Sequence, residues 1–374
     1  MTGYLFCFVF TILFIFLSDK FFIRGKKKIG YVFFIISLFV TCIISGVRSL
    51  DVGADVKSYF LVLYNCYTKG MTLFEGMKIA NVEFGYSLIM YIASKAGNVN
   101  VSLFINQLLV SLPIYLVAYD LRKKEKYSNR YIMTFVILIY LMTFYSLSMN
   151  LLRQSIAISF LIYSYYSYIN NNYKKFILFF LISCSFHISS IIGIVIFIID
   201  YICKRCKKNR FIYLFIMLIL LVIFVICFKK ILMLFPLKYS YYIGSKYDNS
   251  SFSLLSVIKK LLWIVPSLIY LGRVKEKKGD KYSQFLAYTI ILIIDFILYF
   301  MSFQLSSAGR LGYFFLYVGY FFIIPELANM FKQKGIVKFM ILCVLAFFWV
   351  NMTVINNDIN KTYPYESNVF EWLN

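Results

Sequence analysis

Long apolar runs separated by short polar stretches set the pattern of this 374-residue chain. Most runs are close to the ~20 residues that a helix needs to cross a bilayer. They predict an all-α, polytopic integral membrane protein with about 10 to 12 transmembrane helices. The predicted spans are 3–17, 29–47, 101–119, 131–149, 150–169, 211–228, 254–272, 285–303, 311–325 and 335–354.

One further run, 176–199, breaks the expected alternation of sides. It is long enough to span, but Lys174 and Lys175 precede it and a basic cluster at 204–210 follows it. A single crossing would place one of these clusters outside, against the positive-inside rule. We predict a re-entrant or broken helix that turns near His187, where it is buried in protein or lines a cavity. In the alternative, 150–169 lies along the outer interface and 176–199 crosses.

Basic residues cluster in short loops, and these clusters predict the orientation. They hold 25 of the 39 lysines and arginines, so we expect their loops to face the cytoplasm. The external loops 48–100 and 229–253 and the C-terminal tail 355–374 then face outside, where the two loops contribute to the site. No linker or soluble domain is visible, so residues 1–374 are predicted to form a single membrane domain. The basic clusters are 20–28, 122–130, 174–175, 204–210, 273–281 and 332–338.

The composition agrees with this class and argues against several others. With 61% hydrophobic and 15% charged residues, the chain is suited to lipid. The net charge of +23 follows from the loop clusters and does not indicate nucleic acid. The sequence contains no phosphate-binding loop, HExxH or GxSxG motif, and Cys203 and Cys206 form a lone CxxC pair, a weak signal for zinc. We therefore predict no cofactor and no metal.

Three arginines lie outside the basic clusters, beside or within apolar runs: Arg48, Arg153 and Arg310. An arginine in hydrocarbon costs roughly 2.5 to 3.5 kcal/mol on insertion scales, so it needs a partner, a water-filled cavity or an anionic ligand. Two guanidinium groups suit a pyrophosphate, because each offers a planar fork of donors. Alternatively, Arg153 and Arg310 pair with Asp295 or Glu83 and fix helix packing.

Other polar residues in or near the apolar runs form a candidate set around these arginines. On a continuous helix, Asn150, Arg153 and Gln154 would share one face, as would Ser183, His187 and Ser190. The only histidine, His187, is either a base or donor near neutral pH or a packing residue. Asp295 lies in the middle of a predicted span and serves either the site or a helix–helix hydrogen bond.

Six short motifs, in order along nearly the whole chain, resemble the EpsG family of Wzy-type bacterial polysaccharide polymerases. Each is weak alone, but together their order and spacing are fairly specific. The resemblance implies a metal-independent, lipid-linked glycosyltransferase that extends O-antigen, capsule or exopolysaccharide. The motifs are 48–59 (RSLDVGADVKSY), 82–86 (VEFGY), 149–157 (MNLLRQSIA), 185–190 (SFHISS), 308–314 (AGRLGYF) and 363–367 (YPYES).

The resemblance also implies roles for individual residues. Arg153 and Arg310 match the family's arginines and would hold the donor pyrophosphate, with Arg48 as a further cation. His187 and either Asp55 or Glu83 match its histidine and external acidic positions, and one of them would deprotonate the acceptor hydroxyl. Gln154, Asn150 and Asp295 are supporting candidates.

The implied substrate is an undecaprenyl-pyrophosphate-linked oligosaccharide in the bacterial cytoplasmic (inner) membrane, with the active site facing the periplasm or the cell exterior. Expected partners are membrane lipid and the chain-length regulator and flippase of the same pathway, but not nucleic acid. An O-antigen ligase and a lipid-linked oligosaccharide flippase or transporter stay open as alternatives. A flippase would be expected to show about twelve or more spans with internal symmetry, and no repeat is visible.

Overall fold

The computed structural model describes residues 1–123, 131–233, 252–273, 279–303, 306–330, 333–356 and 361–373. Within these ranges the chain is helical with no strand, which confirms the predicted all-α class. The α-helices are α1 (Thr2–Ile23), α2 (Lys27–Gly46), α3 (Leu61–Thr68), α4 (Leu73–Ala80), α5 (Phe84–Ser94), α6 (Val99–Lys123), α7 (Ile132–Tyr140), α8 (Ser146–Asn150), α9 (Leu152–Ile169), α10 (Tyr173–Phe186), α11 (Gly193–Arg205), α12 (Arg210–Met233), α13 (Leu254–Arg273), α14 (Asp280–Met301), α15 (Ser306–Met330) and α16 (Lys334–Trp349).

Shorter helical pieces join several of these elements. A 3₁₀ helix at Ile188–Ile192 follows α10, and another at Glu371–Leu373 ends the described tail. Single π-helical turns are Val56–Phe60, Leu141–Tyr145 and Val350–Ile355.

Eight helical stretches of the described residues are long and apolar enough to cross a membrane, and they confirm the polytopic prediction. They correspond to α1, α2, α6, the continuous stretch from α7 through α8, α13, α14, α15, and α16 with its π turn. The other two predicted spans, 150–169 and 211–228, fold as α9 and α12. Which side of the membrane each loop faces stays a prediction, and most of the loop 229–253 lies outside the described residues.

The chain falls into two compact units. Unit 1 consists of Met1–Ser190 with Ala328–Asn374, and unit 2 of Ile191–Leu327. Whether residues 1–374 act as the single domain predicted from the sequence stays a prediction.

The helix α9 lies at the core of unit 1. It packs against α6 and α10, and its residues from Gln154 to Ser167 are buried. A helix buried on all sides must satisfy its polar side chains internally. Ser159 and Ser167 do this by donating to the carbonyls one turn back, at 3.0 and 2.9 Å. Its first turn alone carries a charge, that of Arg153.

Two helix breaks show that the shared polar helix faces expected from the sequence do not form. Leu151, with φ −81° and ψ 62°, separates α8 from α9, so Asn150 does not lie on the helix that carries Arg153. His187 is extended, with φ −155° and ψ 113°, and it ends α10. The Ser183 hydroxyl donates to the Ala157 carbonyl at 2.6 Å, and the Ser190 hydroxyl donates to the backbone carbonyl of His187 at 2.6 Å. The break at His187 confirms the predicted interruption, whereas the continuous helical faces were wrong.

In unit 2, the helices α13, α14 and α15 pack together through aromatic side chains. Trp263 of α13 contacts Tyr320 of α15 with ring centroids 5.9 Å apart, and Tyr288 of α14 contacts Phe322 of α15 at 5.7 Å. At one end of the α13–α14 pair, the Tyr299 hydroxyl hydrogen-bonds to the backbone of Ser253. The start of α13 and the end of α14 therefore lie side by side.

Candidate active site

Glu83 occupies the junction between α4 and α5, where the backbone geometry directs its side chain away from its own helix. Asn81 ends α4 in the left-handed region, and Glu83 is extended as the N-cap of α5. The Glu83 backbone carbonyl accepts the first helical hydrogen bond from Ser87 at 3.0 Å. Its carboxylate makes no capping bond with α5, and instead faces α9 and the end of α10.

The carboxylate of Glu83 bridges two other candidates of unit 1, Arg153 and His187. Arg153 donates from Nη1 to Oε2 at 2.8 Å. Nδ1 of His187 lies 3.4 Å from Oε1, and the backbone N–H of Ile188 donates to the same oxygen, also at 3.4 Å. Because these groups come from three separate parts of the chain, only the tertiary fold assembles the cluster. We call Glu83, Arg153 and His187 the carboxylate triad.

A glycine makes the approach of these segments feasible. A Cβ atom on Gly85 would lie 2.5 Å from the hydroxyl oxygen of Ser185 and 2.8 Å from its carbonyl oxygen. The first turn of α5 therefore rests directly on the chain two residues before His187. A larger side chain at position 85 would separate Glu83 from His187.

Tyr59 supports the guanidinium of Arg153 from another side. The guanidinium carbon lies 4.4 Å from the centre of the Tyr59 ring, within the range of a cation–π contact. The side chain of Arg153 is 16% exposed, that of Glu83 10% and that of His187 22%. The triad is therefore largely buried but still accessible, most of all at the imidazole.

The triad keeps its carboxylate ionised. Burial alone would raise the pKa of Glu83, but the contact with His187 and the positive charge of Arg153 outweigh it and lower the pKa to about 2. A carboxylate with so low a pKa is a weak base near neutral pH. Glu83 is suited to holding its two partners in place rather than to removing a proton itself.

The loop after α2 brings Asp55 to the same region of unit 1. Residues 47–53 form turns, and Gly53 has φ +100°, a conformation that glycine adopts without strain. The Gly53 N–H donates to the Lys361 carbonyl at 2.8 Å, and the Asp55 N–H donates to the Asn150 side-chain oxygen at 3.1 Å. Asn150 thus positions the loop that carries Asp55.

Arg48 lies beneath this loop. It is 2% exposed, and its guanidinium donates to the Met149 carbonyl at 2.9 Å and to the Ser45 hydroxyl at 3.0 Å. These contacts give it an anchoring role in the protein, and its predicted role with pyrophosphate stays a prediction. The buried Tyr86 lies within electrostatic reach of Arg153, Asp55 and Arg48, so all of these groups belong to one region of unit 1.

The C-terminal segment covers the same loop. The backbone N–H of Ser49 donates to the Glu366 carbonyl at 2.7 Å. The Ser367 hydroxyl donates to the Val47 carbonyl at 2.7 Å, and the Tyr365 hydroxyl donates to the Ile44 carbonyl at 2.6 Å. We call residues 361–367 the C-terminal strap. It fixes the path of the loop that leads to Asp55.

Two predicted site residues belong to unit 2. Asp295 of α14 is buried and forms an ion pair with Lys260 of α13. Arg310 is exposed in the second turn of α15. Arg153 and Arg310 were each predicted either to bind substrate or to pair with Asp295 or Glu83. The structure pairs Arg153 with Glu83. Gln154 is buried in the first turn of α9, directly after Arg153.

Sequence reasoning missed three side chains that contact or lie near the candidate residues. Tyr59 and Tyr86 lie inside the quoted motifs, but aromatic residues are so frequent in this chain that neither was distinctive. Lys260 lies next to Lys259 within the predicted span 254–272, and two lysines in an apolar run were a signal as strong as the lone arginines.

No group of three His, Cys, Asp or Glu side chains in the described ranges is placed to hold a metal ion. Cys203 and Cys206 are free thiols.

Comparison with known families decides the classification. The EpsG family model matches residues 31–367, nearly the whole chain. The chain belongs to the EpsG family. No curated protein and no solved structure matches it significantly.

EpsG family members are Wzy-type polysaccharide polymerases, and membership supports a polymerase-type function for this chain in general terms. The matched region of this EpsG chain includes every member of the carboxylate triad, the loop that carries Asp55, and Arg310. The site built above therefore falls within the part of the chain that defines the family.

Proposed function

We propose that this EpsG-family chain is an oligosaccharide repeat-unit polymerase. It transfers an undecaprenyl-pyrophosphate-linked glycan onto a new lipid-linked repeat unit at the outer leaflet of the bacterial cytoplasmic membrane. Family membership supports the general class. The observation that carries the chemistry is the carboxylate triad, which places the only histidine of the chain against an ionised, buried carboxylate and beside an arginine.

In the proposed reaction, a hydroxyl of the acceptor sugar attacks the anomeric carbon of the donor glycan. The bond between that carbon and the phosphate oxygen breaks, and its electron pair leaves with the lipid diphosphate. The proton of the hydroxyl goes to His187. Because Nδ1 faces Glu83, Nδ1 is the nitrogen that carries a proton in the resting state, and Nε2 is the nitrogen that accepts one.

Glu83 acts on the histidine rather than on the substrate in this mechanism. It fixes the tautomer and stabilises the imidazolium ion that forms during the transfer. Its low pKa makes it a weak base. Asp55 is the remaining alternative for the base.

Arg153 supplies positive charge where the diphosphate leaves. A guanidinium has five N–H donors, and the hydrogen bond to Glu83 uses one of them. Charge that develops on a leaving group is stabilised most by donors already held in position. The contacts with Glu83 and Tyr59 provide that preorganisation.

The experiment that tests this function is the glycan phenotype of a clean deletion, complemented with wild-type and variant chains at matched membrane levels. A polymerase deletion should lose the chain-length ladder and keep glycan that carries a single repeat unit. Wild type should restore the ladder, whereas His187→Gln should not. Glu75→Gln is the matched control, because this exposed residue belongs to the same loop region and a glutamine keeps its capping box.

The same experiment separates the two alternative classes. Retention of finished polymer on the undecaprenyl carrier would indicate a ligase and contradict the proposal. Accumulation of repeat units on the cytoplasmic side of the membrane would indicate a flippase and contradict it equally.

A further inference from the structure

A second group of charged side chains lies in unit 2, separate from the carboxylate triad. Lys260 of α13 forms an ion pair with Asp295 of α14. The side chain of Lys260 is 11% exposed and that of Asp295 3%. Such a pair is expensive to bury and is weak evidence for stability alone, and within a membrane span a buried ionisable group marks a functional site by default.

Further basic groups converge on this pair. Lys259 lies within electrostatic reach of both Lys260 and Asp295. Tyr313, one turn after Arg310 on α15, lies within reach of both Arg310 and Asp295. Asp295 also lies directly against Gly312, two residues after Arg310. The two lysines of α13 therefore lie within electrostatic reach of Asp295, and Arg310 lies near Tyr313 on the adjoining start of α15.

All four residues lie near the same end of the three helices. Lys260 is six residues from the start of α13, Asp295 six from the end of α14, and Arg310 four from the start of α15. At 1.5 Å per residue, each lies within about 10 Å of its helix end. The remaining described charges of these helices, Arg273, Asp280, Lys281 and Glu326, lie about 20 Å or more along the helices towards the opposite ends.

Aromatic side chains complete this end of unit 2. The Lys260 ammonium lies 5.4 Å from the centre of the Tyr299 ring, and the Tyr299 hydroxyl bonds to the backbone of Ser253 at 3.1 Å. Tyr299 thus holds the start of α13, about one turn before the lysines, against the last turns of α14. The arrangement is built by contacts between helices and does not depend on a single loop.

The charge balance differs between the two units. In unit 1, the cations Arg48 and Arg153 share their region with the carboxylates Asp55 and Glu83. In unit 2, the described side chains at this end are three cations and one carboxylate. A diphosphate joined to a sugar and a lipid carries a negative charge on each phosphate, and cationic side chains at this end of the helices can offer it charge-assisted hydrogen bonds.

We propose that Lys260, together with Lys259 and Arg310, forms a diphosphate-binding site for the lipid-linked substrate, with Asp295 as the counter-ion that holds Lys260 when the site is empty. This inference rests on the proposed function, which supplies the substrate class, and adds the lysines that no sequence motif indicated. On binding, Lys260 shares its donors between Asp295 and a phosphate oxygen.

The test is a binding measurement on the purified full-length chain in nanodiscs of neutral lipid, with undecaprenyl pyrophosphate as the probe. Lys260→Met alone would leave Asp295 as an unpaired buried carboxylate, so the informative variant is Lys260→Met with Asp295→Asn. Loss of one charge-assisted contact corresponds to roughly tenfold or more in Kd, and this loss is the expected result. Lys281→Met is the matched control, because this exposed lysine lies at the opposite end of α14. Its Kd should equal that of wild type.

Two competitor arms identify the chemistry of the site. Inorganic pyrophosphate should displace the probe, whereas undecaprenol should displace it only weakly, because the site recognises the headgroup. Equal displacement by phosphatidylglycerol would mean a general site for anionic lipid and would overturn the assignment. An unchanged Kd in the double variant would overturn it as well.

The outcome also separates this proposal from the proposed function. If the double variant loses the probe but purified wild type makes no polymer from lipid-linked repeat units, the site stands and the polymerase assignment fails. If wild type makes polymer and the double variant makes it with unchanged KM, the function stands and the site fails.

Discussion

Replacing Glu83 with glutamine is the most direct perturbation of the carboxylate triad. The substitution keeps the shape of the side chain and removes its negative charge. A carboxylate whose pKa falls from 4.5 to about 2 on folding is stabilised by roughly 3 kcal/mol in its ionised form. The side chain is only 10% exposed, so solvent screens little of this interaction. We expect Glu83→Gln to destabilise unit 1 by an amount of that order at neutral pH.

The pH dependence gives this prediction a sign that can be checked. The folded-state pKa of Glu83 lies below its ordinary value, so its contribution is fully present above about pH 4.5 and is lost as the pH falls towards 2. The stability difference between wild type and Glu83→Gln should therefore be present throughout the range from pH 5 to 8. Below pH 4.5 it should shrink.

Thermal denaturation in detergent, followed by a thiol-reactive dye, measures this difference. The buried Cys66 of α3 is a suitable reporter, because α3 packs against α5 next to Glu83. Glu75→Gln, which changes an exposed carboxylate nearby, should melt like wild type. If Glu83→Gln melted at the wild-type temperature across this pH range, Glu83 could not be an ionised buried partner of Arg153, and the mechanism would lose its organising group.

Three further predictions follow from separate contacts. Arg153→Lys should lower the polymerisation rate by about 10²- to 10³-fold, because lysine lacks the planar fork that contacts Glu83 and phosphate together. Arg24→Lys in an exposed loop is the control. A near-normal polymerisation rate for Arg153→Lys would show that the arginine has a structural role only. Tyr365→Ala removes the hydrogen bond to the Ile44 carbonyl and should make the loop that leads to Asp55 more sensitive to protease. Cleavage of this variant at the wild-type rate would show that the C-terminal strap does not position the loop. Cysteines placed at positions 75 and 208 should react with an impermeant reagent from outside and only after permeabilisation, respectively, because Glu75 is exposed in the predicted external loop. Strong outside labelling at 208 would overturn the orientation predicted from the basic clusters.

The spans could be predicted from the sequence because hydropathy and length alone determine them in lipid. The predicted runs 29–47 and 254–272, for example, differ from α2 and α13 by at most two residues at each end. Pro266 lies inside α13, which the predicted run 254–272 covers, whereas the predicted run 311–325 stops at Pro325 and α15 continues to Met330.

The breaks beside the site could be predicted only in part. Basic clusters on both sides of 176–199 indicated an interruption near His187, but no glycine or proline marks Leu151 or His187. Tertiary contacts determine where both helices break. Ser183 hydrogen-bonds to α9, and Asn150 hydrogen-bonds to the loop before Val56–Phe60. Helical spacing therefore placed Asn150 and Ser190 on faces that the folded chain does not have.

The pairing of charges depends on tertiary structure in the same way. The alternative that Arg153 pairs with Glu83 was open from the sequence, but 70 residues separate the two, and periodicity relates only residues on one helix. Lys260 was overlooked as a partner of Asp295 because lysines near the end of a span are usually read as residues that reach the interface. Its burial against Asp295 shows otherwise.

The measurement that tests the central claim most directly is polymerisation by the purified chain. Wild type and His187→Gln would be reconstituted at equal density in proteoliposomes with a defined undecaprenyl-pyrophosphate-linked repeat unit, EDTA and no other enzyme. The account predicts that wild type forms products of two and more repeat units and releases undecaprenyl pyrophosphate, and that His187→Gln leaves the substrate unchanged. Absence of longer products with wild type, or equal product formation by both proteins, would contradict it.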